Sequence, residues 1–124
     1  MMAKLRERTN QLCTGLALPS QMVMSDYHER LWETLPEGLD PSDLKLRLAF
    51  LLDHVRSARD PGGAPGRVLD VGCGEGHFAA ELAHAGLHVV GVDVAEEPLR
   101  RARARHPDLD LRVVPLEGRW PLAI

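Results

Sequence analysis

The sequence predicts an α/β fold, a parallel βαβαβ unit preceded by N-terminal helices. Three observations predict it. From Val68 onward, short aliphatic runs alternate with stretches of helical length in the order strand, helix, strand, helix, strand. Connections of that length join parallel strands by right-handed crossovers. Glycines at 72, 74 and 76 crowd the first strand-to-helix junction, and an acid, Asp93, stands at the end of the second aliphatic run, 21 residues after Gly72.

The chain of 124 residues suffices for one small domain. It is 44% apolar and 27% charged, with a formal net charge of −3, and so lacks the basic excess of a nucleic-acid binder. No apolar run approaches the ~20 residues that a membrane span requires. Lys4, Arg6 and Arg8 precede a mildly apolar stretch, Leu12 to Leu18, but Glu7, Asn10 and Gln11 break the pattern of a signal peptide. Residues 1–25 read as a tail, disordered or upstream of the true start, with Met22 and Met24 as alternative first residues. The two cysteines, Cys13 and Cys73, form no metal-ligand spacing, and the histidines are scattered singly. The expectation is a cytoplasmic protein with no structural disulfide and no metal site.

Asp26 to Leu35 reads as a short helix, with Tyr27, Leu31, Trp32 and Leu35 at helical spacing and Pro36 and Gly38 ending it. Pro41 to about Ser57 reads as a second, with Asp40 as N-cap, Pro41 at the first helical position and Asp43 near the positive end of the dipole. Leu44, Leu48, Leu51, Leu52 and Val55 form its apolar stripe. Arg59 to Gly66 is a linker by composition. Val68 to Val71 is a buried strand. Gly76 to Ala85 is a helix that Gly86 stops as C′ residue. Leu87 to Val92 is the second strand. Ala95 to His106 is the second crossover helix, with Pro98 tolerated in its first turn. Leu109 to Val114 is the third strand, and a loop follows. The domain boundaries expected are 1–25 for the tail, 26–66 for a helical cap and linker, and 67–124 for the βαβαβ part.

Three glycines in five positions weaken any regular element, so their use lies in the loop itself. Gly72 permits the turn off the strand, Gly74 lets a ligand approach the backbone, and Gly76 lets the helix start pack closely. The N–H groups at the helix start are expected to favour an anionic group. A carboxylate at Asp93 is placed to accept hydrogen bonds from the hydroxyls of a ribose. Glu75 and His77 read as structural or solvent-facing, and Arg100 to Arg105, "RRARAR", as a solvated helix face.

The spacing is G-x-G-x-G and not the dinucleotide fingerprint G-x-G-x-x-G, because position 77 is histidine. "VLDVGCGEGHF", "HVVGVD" and "VVPLEGRWPL" together resemble the motifs of the class I S-adenosylmethionine-dependent methyltransferases, of the small-molecule, type 11-like kind. The resemblance covers Arg67 to Leu122. It implies a Rossmann-like three-layer sandwich, here an incomplete half with strand order 3-2-1, and S-adenosyl-L-methionine as cofactor. It implies that Asp70 supports the loop or the cofactor's amino group, and that the backbone of Gly72, Cys73 and Gly74 faces the methionine part, with Gly76 closing the loop. Asp93 would hold the ribose hydroxyls and Val94 would pack on adenine. Glu117 would accept from the adenine amino group, and the Gly118 N–H would meet a ring nitrogen. Tyr27 reads as a packing residue, with a contact to the cofactor carboxylate as the alternative.

Members of that family have a seven-stranded sheet, and this sequence matches its first three strands. The expectation is a truncated, cofactor-binding N-terminal portion of a methyltransferase, with an unidentified small-molecule acceptor and no locatable catalytic base. Strand 1 then lies at an exposed edge, which invites homodimerisation or element swapping. Two alternatives remain: a non-catalytic nucleotide-binding subunit that completes its sheet with a partner, and an NAD(P)-binding oxidoreductase module.

Overall fold

A computed structural model describes residues 21–57 and 62–122. Four helices and three strands follow one another: α1 (Gln21–Thr34), α2 (Leu44–Ser57), β1 (Arg67–Val71), α3 (His77–His84), β2 (His88–Asp93), α4 (Glu96–Arg105) and β3 (Asp110–Val113). The strands form one parallel sheet with β2 in the middle, the Rossmann-like arrangement that the alternation of runs predicts. Residues 1–20, including Cys13 and most of the expected tail, and residues 58–61 of the linker lie outside the described residues.

Strand register decides which side chains meet the helices. Val68 pairs with Val89, and Gly91 with Leu111, so these residues share one face. On that face Ala79 and Leu82 of α3 close over Val89, while Leu99 and Ala102 of α4 close over Leu111. The aliphatic side chains along each strand thus find an apolar partner at every second position. Leu51 and Leu52 of α2 pack behind α3 on the first cluster, which accounts for the apolar stripe of that helix. Gly91 leaves no room for a side chain between its neighbours. A Cβ there would sit 2.7 Å from Cδ2 of Leu111 and 3.0 Å from Sγ of Cys73.

Two local expectations are corrected. The second helix begins at Leu44 and not at Pro41. Asp43 takes φ of +57°, a left-handed conformation that an aspartate tolerates better than most side chains, and this breaks helical continuity. Asp40 is therefore not an N-cap; its carboxylate lies 3.5 Å from Nδ1 of His77. The first helix begins five residues earlier than expected, at Gln21. Gly86 does stop α3: it has φ of +88°, and its N–H donates to the carbonyl of Ala83.

Among the described residues β1 forms an open edge of the sheet, with Leu69 and Val71 exposed. The opposite face of the sheet, with Leu69 and Val90, borders a cavity that Arg112 and Leu122 complete.

Gly91→Ala is expected to lower stability by about 1–3 kcal/mol, the usual cost of overpacking a core. Chemical denaturation checks this; an unchanged midpoint contradicts the close approach of Leu111 and Cys73.

Candidate functional site

The turn from β1 into α3 lies at the carboxyl ends of the strands. Gly72, Gly74 and Gly76 have φ of +71°, +52° and +76°, so the turn requires all three glycines for their conformation. The three differ in what a Cβ would meet. At Gly72 it would meet nothing within 4 Å, whereas at Gly74 it would strike the ring of Trp32 at 3.0 Å. The open approach therefore lies at Gly72, and the space at Gly74 that the sequence suggested for a ligand is filled by Trp32.

Four main-chain amides of the turn bond within the fold. The N–H groups of Gly72 and Cys73 both donate to the carbonyl of Val92, at 2.8 and 3.0 Å. The Gly74 N–H donates to Oδ2 of Asp93 at 2.9 Å, and the Gly76 N–H to the carbonyl of Cys73 at 2.9 Å. At the start of α3 the Ala79 N–H donates to the carboxylate of Asp70. A protein carboxylate thus stands at the helix start, and four amides of the turn bond within the fold.

Asp93 is buried and ties the site together. Its Oδ1 accepts from the Ala95 N–H at 3.1 Å while Oδ2 holds Gly74. Each carboxylate oxygen has two lone pairs, so each keeps one acceptor position after these bonds. Asp70 is half-buried, and burial raises its carboxyl above the ordinary range, against the pull of the Ala79 N–H. Cys73 packs its side chain against the Leu111 cluster, with a long contact from its Sγ to the carbonyl of Gly74 at 3.9 Å. Burial, then the charges of Asp70 and Asp93, push its thiol up to about 12, which makes it an inert packing group.

A cavity of about 400 Å³ opens beside Gly72. Asp93, Val94, Trp120 and Leu116 line it from the sheet side, and His28 and Trp32 line it from α1. Trp120 is held by a bond from Nε1 to the carbonyl of Pro115 at 2.9 Å. Of the sequence-predicted residues, the structure brings Gly72, Asp93 and Val94 to this cavity. Glu117 and Gly118 are exposed and outside its lining. Tyr27 is 59% exposed and also outside it; its neighbour His28 takes that place. His28 and Trp32 were missed because their spacing reads equally well as a packing face. The only available signal was that they are four apart and so share a helix side.

Glu75, the residue between Gly74 and Gly76, is buried and not reactive. Its carboxylate binds Arg105, Arg101 and the Gly38 N–H. Burial pushes its carboxyl up, but these partners outweigh that and hold it below the ordinary glutamate range. The arginine run is likewise corrected. Arg101 is 5% exposed, and Arg100, Arg103 and Arg105 each pair with a glutamate of this chain. Removing one partner from the buried Glu75–Arg101 pair would strand a charge, typically at about 3–5 kcal/mol. Among the described residues no group of three metal-ligating side chains comes together.

Residues 68–120 match the family model described as a methyltransferase domain. That segment is similar to the class I S-adenosylmethionine-dependent methyltransferases. The chain is 38% identical over 80 residues to a ubiquinone biosynthesis O-methyltransferase of Aromatoleum aromaticum, covering 64% of this chain and 32% of that one. Against the crystal structure of WbdD the identity is 32% and the TM-score 0.52, over 59% of this chain and 18% of that one. The magnesium protoporphyrin IX methyltransferase of Synechocystis, solved with bound S-adenosylmethionine, shares the fold. Its TM-score is 0.56 at 19% identity, over 81% of this chain and 56% of that one. The methyltransferase segment spans about a third of the length of the curated relatives it matches. No described helix is long and apolar enough to cross a membrane.

At about pH 8, alkylation of Cys73 in the folded chain is expected to run about tenfold or more slower than in denaturant, because its thiol stays protonated. Peptide mass spectrometry reads this; equal rates would contradict the burial of the thiol.

Proposed function

We propose that this chain is the cofactor-binding portion of a methyltransferase that uses S-adenosylmethionine and methylates a small-molecule acceptor. The observation that carries the reading is the state of the loop amides. A dinucleotide cofactor places its pyrophosphate on free N–H groups at this turn. Here Gly72, Cys73, Gly74 and Gly76 donate within the fold, and the carboxylate of Asp70 takes the start of α3. A second anion there would meet that carboxylate, with these four amides already engaged. A nucleoside with a cationic tail suits the same place, since the carboxylates of Asp70 and Asp93 lie beside it. The oxidoreductase reading is disfavoured for this reason as well as by His77.

In this reading the free lone pairs of Asp93 accept the two ribose hydroxyls. Val94 packs on adenine, with Leu116 and Trp120 on the same wall. Asp70 attracts the amino group, and the methionine part passes the open side of Gly72, beside the backbone of Cys73 and Gly74. Gly76 starts α3. Glu117 and Gly118 adjoin the lining residues and serve the adenine edge. The cofactor supplies an electrophilic methyl group on a sulfonium; displacement by the acceptor leaves S-adenosylhomocysteine, and the acceptor gives up a proton. The protein's part is chiefly alignment. The O-methyltransferase name of the curated relatives supports a hydroxyl as acceptor. A free thiol at Cys73 supports a cytoplasmic location. The open edge of β1 supports pairing with a second copy of the chain.

Titration calorimetry is expected to detect S-adenosylhomocysteine binding and no NAD binding. Asp93→Ala is expected to weaken the former about tenfold or more, as for hydrogen bonds to a charged group. NAD binding in place of S-adenosylhomocysteine would overturn the assignment. Light scattering is expected to find a dimer, and a monodisperse monomer would contradict edge pairing.

A further inference from the structure

We propose that Arg101 is a positioning residue for the cofactor cavity: it latches α1 to α4, and through α1 it holds the wall made by His28 and Trp32. The proposal rests on the cavity's assignment to S-adenosylmethionine.

Among the described residues, apolar packing holds α1 only weakly. Trp32 lies over Gly74, but neither buried cluster contains a residue of α1, and Met24, Tyr27 and Leu31 are exposed at 39%, 59% and 41%. The described fastenings of α1 are polar. Arg101 donates from Nη2 to the carbonyl of Trp32 at 2.8 Å and from Nη1 to that of Leu35 at 3.0 Å. These are carbonyls at the end of α1, where i→i+4 donors run out and a cation is favoured; the Trp32 carbonyl also accepts from the Leu35 N–H at 3.1 Å. At the other side of the contact, Glu29 accepts from the N–H groups of Glu96 and Glu97 at 2.7 and 2.8 Å. It caps α4, whose own N-cap position is Ala95 and has no side-chain acceptor.

Arg101 is itself fixed from two directions. Its Nη1 reaches Oε1 of Glu75 at 3.2 Å, and its Nε reaches Oε1 of Glu97 at 2.8 Å. Glu75 belongs to the glycine turn, so one guanidinium joins the cofactor loop, the crossover helix and the capping helix. The fork of donors is essential to this, because a lysine ammonium is a single point charge and does not span these acceptors. The wall that depends on it touches the turn directly, since Trp32 lies over Gly74 and lines the cavity next to Gly72.

The test compares the full chain with Arg101→Met and Arg101→Lys. Hydrogen exchange by mass spectrometry reads residues 24–35 against the strands, and calorimetry reads S-adenosylhomocysteine. Both variants are expected to lose protection in 24–35 while the strands keep theirs, and to bind the ligand about tenfold more weakly. Arg101→Lys retains the charge and stem, so it reports on the latch even where Arg101→Met loses the whole fold. Normal protection of 24–35 in Arg101→Lys overturns the latch. Lost protection with affinity within twofold of the parent overturns its role at the cavity. A parent chain that binds no S-adenosylhomocysteine overturns the cavity's assignment, and the exchange measurement distinguishes that failure from a failure of the latch.

Discussion

The turn after β1 is clamped to the end of β2, and the candidate site depends on that clamp. The carbonyl of Val92 takes two amides of the turn and the carboxylate of Asp93 takes a third. Five residues with three positive φ angles would otherwise be among the most mobile of the chain, because glycine has the most conformational freedom to lose. Asp93 is thereby a fastening and, in the proposed function, a binding group as well. It fixes the loop with one lone pair of Oδ2, fixes the entry to α4 with one of Oδ1, and keeps the others for a ligand. Preorganisation of this kind reduces the ordering cost at the moment of binding.

The clamp also explains the chemical preference of the site. Glycine-rich turns at helix starts are usually discussed as anion cradles. In this chain four donors of that backbone shape bond within the fold, and the Asp70 carboxylate meets the Ala79 N–H at the helix start. What remains for a ligand is a largely apolar cavity with the carboxylate of Asp93 in its lining. Such a cavity suits the nucleoside of the proposed function, and the similarity of residues 68–120 to a methyltransferase domain fits that chemistry.

Much of this was legible in the sequence. The alternation of runs specified the strands and crossover helices to within one residue at most ends, because apolar periodicity in each run matches the face it buries. Gly72, Asp93 and Val94 were legible from motif spacing. The destination of the loop amides was not, since it depends on where the carbonyl of Val92 lies, 20 residues away in the chain. The arginine run misled for a related reason. Helical spacing shows which arginines share a face, but not that the face of Arg101 meets Glu75, 26 residues upstream, and the end of α1. In the latch proposed above, that contact holds His28 and Trp32 at the cavity. Asp43 shows the local limit: a cap pattern at Asp40 and Pro41 was overridden by one left-handed residue.

A crystal structure with S-adenosylhomocysteine tests the central claim most directly. The account predicts ribose hydroxyls within hydrogen-bond distance of both oxygens of Asp93, with the Gly72 and Cys73 amides still on Val92 and the Gly74 amide still on Asp93. A ligand bound away from Asp93, or loop amides released from β2 to hold it, would contradict it.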